Sequence, residues 1–321
     1  PPVGEALPRA TIGNQLLVLT AWLHYGLGNT LSQITSVLNY HLNFQVSEGG
    51  LIQMWYRLQE ILYAWYQQIG EEVKQQAALF ADETGWRVAG ITHWLWCFTT
   101  KLATYYLIDR SRGEPALRRF FTEAFQGTLI TDFWGPYERI EAATRQKCLP
   151  HLLRELMKVE VRNKSPAWLA FSKKLKRLLQ DALRLEKRED LAPESYASRR
   201  QRLQDRLREL AAATEDDDDV QRLAKRLRKY HDDLFTFLDL EGVASNNNQA
   251  EREIRPAVII RKNSLCNRSQ DGAEMQAVMM SIYRTLKLRG LDPIKTIAGA
   301  VREYLLTGKL PPLPSAPTSA G

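Results

Sequence analysis

The sequence predicts a mixed α/β protein: a sheet flanked by helices, with a helical region ahead of it and a large helical insertion. Three patterns carry that expectation. Residues 75–108 hold short aromatic and β-branched runs broken by glycine, which read as a strand meander. Residues 11–69 and 244–306 instead space their apolar residues as helices do. From 165 to 240 the apolar positions alternate three and four apart, a heptad spacing.

At 321 residues, 44% hydrophobic and 25% charged, the chain has the composition of a soluble globular protein with two or so domains. No apolar run approaches the roughly 20 residues needed to span a bilayer, so no membrane partner is expected. Residues 1–10 lack the basic start and apolar stretch of a signal peptide. The first residue is Pro rather than Met, which raises the expectation that the chain is the later part of a longer one. The three cysteines, Cys97, Cys148 and Cys266, are an odd and sparse set that suits a reducing cytoplasm. The net charge of +7 is localised. Residues 154–230 hold 21 Lys and Arg against 14 Asp and Glu, while the remainder holds 23 of each. Such confinement is either an electrostatic footprint for a polyanion or a pair of surface helices rich in solvated arginine.

Residues 11–69 read as three helical segments, with Thr30 and Ser47 as N-caps of the second and third. Two helices joined by Asn43–Val46 make a candidate helix-turn-helix, the later helix being the DNA reader. The aromatic stripe Trp55, Tyr56, Tyr63, Trp65 and Tyr66 favours a packed helical layer over that reading. In the meander, the apolar run Ala77–Ala81 gives out at Asp82, and the runs Trp86–Val88 and Trp94–Phe98 follow. Ala103–Ile108 is a third strand, and Glu114–Phe125 has helical spacing. Gly127–Asp132 is a short apolar run that also ends in aspartate. Arg145–Leu149 reads as a further strand, leading into a helix from His151.

The heptad segment breaks near Pro193 and at the acidic run Glu215–Asp219, a solvated turn or a helix start favoured by the macrodipole. Asn248-Gln-Ala-Glu251 fits a capping box with Asn in place of Ser or Thr, which by itself accounts for Glu251. It also puts a carboxylate on the first turn of a helix with Arg252 and Arg255 beside it. Ser281–Leu291 and Pro293–Leu306 are further helices, and PPLPSAPTSAG after Leu310 reads as a disordered tail. Domain boundaries follow: 1–10 linker, 11–70 helical region, 71–164 first part of the core, 165–240 basic insertion, 241–310 second part of the core, 311–321 tail.

Asp82, Asp132 and Glu251 on a strand–strand–helix arrangement suit two divalent cations, and oxygen ligands favour Mg²⁺ or Mn²⁺. Two such ions activate a water or 3′-hydroxyl and stabilise the leaving oxygen of a phosphodiester. Spacing alone does not select these residues, because a chain of this size offers many Asp/Asp/Glu triples.

The surrounding words narrow the choice. ADETGWRVAG, WLWCFTT, GTLITDFWGPY, RQKCLPHLLREL, NNNQAEREIRP and RKNSLCNRSQDGAE occur in that order. The set resembles the bacterial insertion-sequence transposases of the DDE type, most closely the insertion-sequence sixty-six branch, from about residue 11 to 310. That resemblance implies an RNase-H-like sheet with helices inserted between the second Asp and the Glu. It implies Asp82, Asp132 and Glu251 as both catalytic and metal-binding residues, with Asn247 and Asn248 matching the family's Asn-Asn. Glu251 lies 119 positions after Asp132, which accommodates the basic heptad segment. Two departures stand out. Ser245 or Asn246 replaces a frequent Asp, and Asp132-Phe133-Trp134 replaces a frequent Asp-Gly-Tyr, which touches local base contacts rather than the acid. The upstream zinc-binding and coiled-coil region of longer relatives is not visible.

The resemblance further implies cutting at element ends, transfer of the 3′-hydroxyls into target DNA, a homodimer or higher oligomer on double-stranded DNA, accessory element-encoded proteins, and a cytoplasmic, nucleoid-associated location. Arg252, Arg255, Arg261 and Lys262 are candidate phosphate contacts. Trp134 and Tyr137 either stack on an unpaired base near the cut or pack in the core or rim. Cys148-x-x-His151 is half a zinc pattern without a second pair nearby, and His93 and Cys97 are expected to pack on the sheet. No Walker-type phosphate loop is present, so ATP use is not indicated. Two rival functions remain: a structure-selective nuclease on the same core without strand transfer, and an inert DNA-binding descendant of a transposase.

Overall fold

The computed structural model describes residues 4–188 and 190–317. The fold is mixed α/β, with a five-stranded mixed sheet and flanking helices. The chain forms two compact units, residues 4–123 with 248–317, and residues 124–247. Asp132 and the insertion therefore share a unit, while Asp82 and Glu251 share the other.

The first unit opens with α1 (Asn14–Ala21) and α2 (Leu31–Ser36), each running into a widened π-helical turn. Thr30 caps α2 in a full capping box with Gln33, and Ser47 caps α3 (Glu48–Lys74) by accepting the Gly50 N–H. Leu51, Trp55, Leu58, Leu62, Trp65, Ile69 and Val73 recur at three and four along α3 and are all buried. The aromatic stripe thus serves packing at Trp55, Trp65 and Tyr66. Trp55 donates to Thr20 Oγ1 at 3.1 Å, and Tyr66 to the Tyr106 carbonyl at 2.8 Å. Gly70 permits the close approach of α3 to the sheet, since a Cβ there would meet the Tyr105 ring at 3.1 Å.

The meander forms as predicted, with one correction. Ala78–Val88 is a single strand, β1, so Asp82 lies inside it rather than at its end. Gly85 does not break the strand, because β1 is paired with β2 (Ile91–Thr99) throughout, from Phe80↔Thr99 to Val88↔Ile91. Ala89 and Gly90, both at positive φ, make the two-residue turn whose twist matches the strands. β3 (Thr104–Asp109) then pairs antiparallel with β2. Its open edge is covered by α10 (Gln270–Leu288), where Ser281 and Thr285 hydroxyls accept the Tyr106 and Thr104 N–H groups at 2.9 and 3.1 Å. Side chains of a buried helix thereby replace a missing strand. The helix α4 (Glu114–Phe120) ends earlier than its spacing suggested, and Phe125 belongs to the next strand. α9 (Asn248–Ser264) packs on β1 and β2, and α11 (Pro293–Thr307) lies against α1.

Among the described residues, 4–10 and 311–317 are held by packing and hydrogen bonds, where a linker and a disordered tail were expected. Leu7 is buried and the Gly4 carbonyl accepts from Asn14 at 2.8 Å. Leu313 is buried, Trp65 donates to the Pro311 carbonyl at 2.7 Å, and Arg289 donates to that of Pro314 at 2.6 Å. The proline-rich composition misled here because Pro lacks an N–H but offers its carbonyl freely. Residues 318–321 of the predicted tail lie outside the described residues.

In the second unit, β4 (Phe125–Thr131) and β5 (Ala142–Lys147) pair in parallel. Gln146 closes the outer side of β5 by bonding the Leu234 carbonyl and the Phe237 N–H. Four helices follow: α5 (Leu149–Arg162), α6 (Pro166–Leu185), α7 (Pro193–Ala211) and α8 (Asp218–Lys229). The predicted apolar positions of α6, from Trp168 to Leu185, are all buried. The second heptad run does not stay helical, since α8 ends at Lys229 and Leu234 and Phe237 lie in or beside short 3₁₀ turns. The acidic run starts a helix: Asp217 accepts from the Asp219 and Val220 N–H groups, and its carboxyl, held below the usual range chiefly by the Ser165 hydroxyl, ties α8 to the start of α6. The exposed ion pairs between these helices contribute about 0–1 kcal/mol each, whereas each buried leucine contributes about 2 kcal/mol. The apolar seam decides the bundle.

His24 is buried in the π-helical turn, stacked on Trp55 with ring centroids 5.4 Å apart. Its Nδ1–H donates to the Asn29 carbonyl at 2.7 Å, and burial holds its pKa below the ordinary 6.5. The unfolded chain therefore binds the extra proton first, so stability from this residue is full above about pH 6.5 and declines as pH falls below it. Urea unfolding of wild type should show that decline, and His24→Gln should flatten the part due to this side chain.

Candidate active-site residues

Alternation along β1 puts Leu79 and Ala81 into the core and leaves Asp82 half-buried on the other face, opposite Cys97 in register. The Asp82 Oδ1 accepts the Glu83 N–H at 2.9 Å, which fixes the carboxylate orientation. Glu83 itself pairs with Arg112 at 3.1 Å, whose guanidinium lies over Trp94. Cys97 is buried on β2. Burial, with the negative charges of Glu253 and Asp82, pushes its thiol well up, so it is inert packing. His93 is likewise buried on β2 and bonds the Ile91 carbonyl.

Glu251 lies in the first turn of α9 and is half-buried. Asn248 is the first residue of α9. The helix lays Ala250, Glu253, Ile254, Ala257 and Ile260 inward and leaves Arg252, Arg255 and Lys262 exposed. Glu253 is fully buried and receives Arg284 of α10 through Nε at 2.8 Å and Nη2 at 2.7 Å. Tyr106 of β3 donates to the Glu253 carbonyl, and Gln249 to that of Thr100 at 3.1 Å. Arg261 gives Nη1 to Thr84 Oγ1 at 3.0 Å and to the Gly85 carbonyl, which latches α9 to β1.

Asp132 directly follows β4, half-buried, and its Oδ1 accepts the Trp134 N–H at 2.8 Å. Beneath it lies Lys147, with none of its side chain exposed. The ammonium pairs with Glu138 at 2.6 Å, donates to Thr131 Oγ1 at 3.1 Å and to the Asp132 carbonyl at 3.2 Å, and sits 5.1 Å from the Tyr230 ring. Sequence reasoning missed this residue. Its one signal was a lysine closing a strand directly before buried Cys148. Phe133 packs edge-on against Tyr230, with Arg226 over its ring.

The structure thus puts Asp82 and Glu251 on a strand and a helix that pack on each other. It gives Asp132 separate support in the second unit. Tyr137 corrects the base-stacking expectation: it is fully buried and offers no face to a nucleotide, while Trp134 is half-buried. Cys148 is buried and its sulfur accepts the Asn247 N–H at 3.2 Å. For a metal, carboxylate oxygens are the donors of a hard cation, and Asp82 and Asp132 each have one oxygen oriented by a main-chain N–H. The donor chemistry fits Mg²⁺ or Mn²⁺.

A family model described as "Transposase IS66 family" matches residues 9–275, a span that includes all three carboxylates. Among curated proteins, the uncharacterized protein y4qI of Sinorhizobium fredii is 25% identical over 258 residues, covering 70% of this chain and 47% of its own length. The uncharacterized protein y4jD of the same organism is 28% identical over 223 residues, covering 64% of this chain and 43% of its own length. The chain thus spans less than half the length of these relatives.

Two substitutions test the buried supports. Arg284→Met leaves Glu253 as an uncompensated buried charge and should cost about 3–5 kcal/mol of unfolding free energy, recovered in large part by adding Glu253→Leu. Lys147→Met should cost about 3 kcal/mol by stranding Glu138, read by denaturant midpoint.

Proposed function

The chain belongs to the IS66 transposase family, and on that premise we propose that it cuts and joins DNA through Asp82, Asp132 and Glu251. The observation that carries the proposal is the family match across residues 9–275, which takes in each of these acids. Asp82, Asp132 and Glu251 would hold two Mg²⁺ or Mn²⁺ ions. When bound, the ions supply Lewis-acid charge and lower the pKa of a water or hydroxyl nucleophile. The protein's own part is placement. The Glu83 and Trp134 N–H groups orient two of the carboxylates, Lys147 clamps the Thr131–Asp132 step, and the Glu253–Arg284 pair with the Arg261 latch fixes the helix that carries Glu251. Arg252, Arg255 and Lys262, exposed on α9, are the phosphate contacts in this reading.

Hydrolysis at an element end forms a bond from water oxygen to phosphorus and releases a 3′-hydroxyl. That hydroxyl then attacks a target phosphodiester in line, forming the new linkage and freeing a target 3′-hydroxyl. Joining two ends in one event calls for a dimer or higher assembly on duplex DNA, with element-encoded accessory proteins as further partners. Among the described residues no helix is long and apolar enough to cross a membrane, which suits action on DNA in the cytoplasm at the nucleoid.

Asp82→Asn, Asp132→Asn and Glu251→Gln should each lower strand joining by about a thousandfold, equivalent to about 4 kcal/mol of barrier, with DNA binding retained. The assay supplies pre-cut ends bearing a 3′-hydroxyl, a supercoiled plasmid and Mg²⁺ or Mn²⁺. Full joining by any variant removes that residue from the triad. Nicking without joining by wild type favours the nuclease, and binding without either favours the inert descendant.

A further inference from the structure

The basic excess of the insertion converges on one cavity. Arg184, Lys187 and Arg188 at the end of α6 face Arg199, Arg202 and Arg206 of α7 across a groove of about 570 Å³, over the side chains of Leu185 and Leu203. Only part of this charge is answered. Asp181 takes Arg184 at 3.1 Å and Arg206 at 2.8 Å, and Arg188 pairs with Asp190 at 2.7 Å. Among the described residues, no carboxylate lies in ion-pair range of Lys187, Arg199 or Arg202, all of which are exposed. Among the described residues, six cations stand against two carboxylates, Asp181 and Asp190, the second also drawn on by Arg199, so positive charge is in excess. Like charges gathered this closely repel one another and do nothing for the bundle, whose seam is apolar.

We infer that this groove is a phosphate track that holds one strand of duplex DNA by its backbone. The identity of the polyanion rests on the transposase reading. The geometry suits a strand rather than a single anion. Arg199, Arg202 and Arg206 recur at three and four along one side of α7, a row about 10 Å long at 1.5 Å per residue. Phosphates of one strand advance about 3.4 Å each along the duplex axis, so the row matches about three of them. Five of the six cations are arginine, whose planar fork grips phosphate oxygens in pairs. No aromatic side chain is among the described lining, so the groove lacks a base-stacking platform and reads backbone, not sequence.

The test uses the full chain, fluorescent duplexes of two unrelated sequences, and a salt series read by anisotropy. Combined Lys187→Ala, Arg199→Ala and Arg202→Ala should weaken binding to both sequences alike. The same variant should lower the slope of log affinity against log salt by about 2–3, near 0.9 for each phosphate no longer neutralised. Combined Lys173→Ala, Lys174→Ala and Lys176→Ala, elsewhere on α6, removes the same charge and should leave the slope nearly unchanged. An unchanged slope in the groove variant, or an equal fall in the lysine control, overturns the inference. So does tighter binding of duplex RNA than of DNA, or displacement of DNA by millimolar inorganic phosphate. If the triple variant melts early, Arg199→Ala alone decides, with an expected slope change of about one. Strand joining is measured in parallel. Joining with an unaltered slope sinks the groove alone, and a lowered slope without joining sinks the transposase reading alone.

Discussion

The buried pair of Glu253 and Arg284 is the constraint on which the first unit turns. Two charges out of water demand compensation, and here Arg284 reaches one Glu253 carboxylate oxygen only when α9 and α10 are in register. Arg284 gives two N–H groups to one carboxylate oxygen, and Tyr106 secures the Glu253 carbonyl from β3. A slip of α9 by one residue would swing Glu253 about 100° around the helix and leave both charges stranded. Such a pair adds little net stability over an apolar substitute, but it penalises every other placement of α9. Glu251 is positioned as a consequence, two residues away on a different side of the same helix.

Lys147 plays the comparable part in the second unit. An ammonium with no exposed surface must find oxygen partners, and it finds them in Glu138, Thr131 and the Asp132 carbonyl. The end of β4 is thereby held by a side chain from β5, while the Asp132 carboxylate keeps a main-chain donor of its own. In both units, then, a half-exposed acid is set by a buried charge that never meets solvent. Structural charges sit inside, and the acids proposed for chemistry sit at the boundary, where hydration can be exchanged for ligands.

The insertion separates its roles in the opposite sense. Its apolar seam builds a bundle that would stand with neutral surfaces, and its arginines are placed outward. Pairing answers many of them, as Glu155 does for Arg222 and Arg226. The groove between α6 and α7 is where the answering carboxylates run short. Charge counted along the sequence located the excess within residues 154–230 but left footprint and solvated surface equal. Convergence of two helix faces, which needs the turn between α6 and α7, tips that balance.

Local physics made much of this chain readable in advance. Periodicity marked the strands, the buried seam of α6 and the three N-terminal helices, because burial of one face imposes a repeat on the sequence that survives without coordinates. Turn and cap chemistry placed Thr30 and Ser47 correctly for the same reason: the hydrogen bonds involved span three residues. The motif words identified the family and named three acids. What tertiary structure alone decided were matters of long-range pairing. Asp82 lies within a strand because β2 pairs across Gly85; the proline-rich segment is docked because Trp65 and Arg289 reach its carbonyls; Tyr137 is core rather than a base platform. The supports of the acids, Lys147 and Glu253, were invisible for a related reason. A charged residue in sequence looks solvated until its partners, 9 residues away at Glu138 or 31 away at Arg284, are brought against it by the fold.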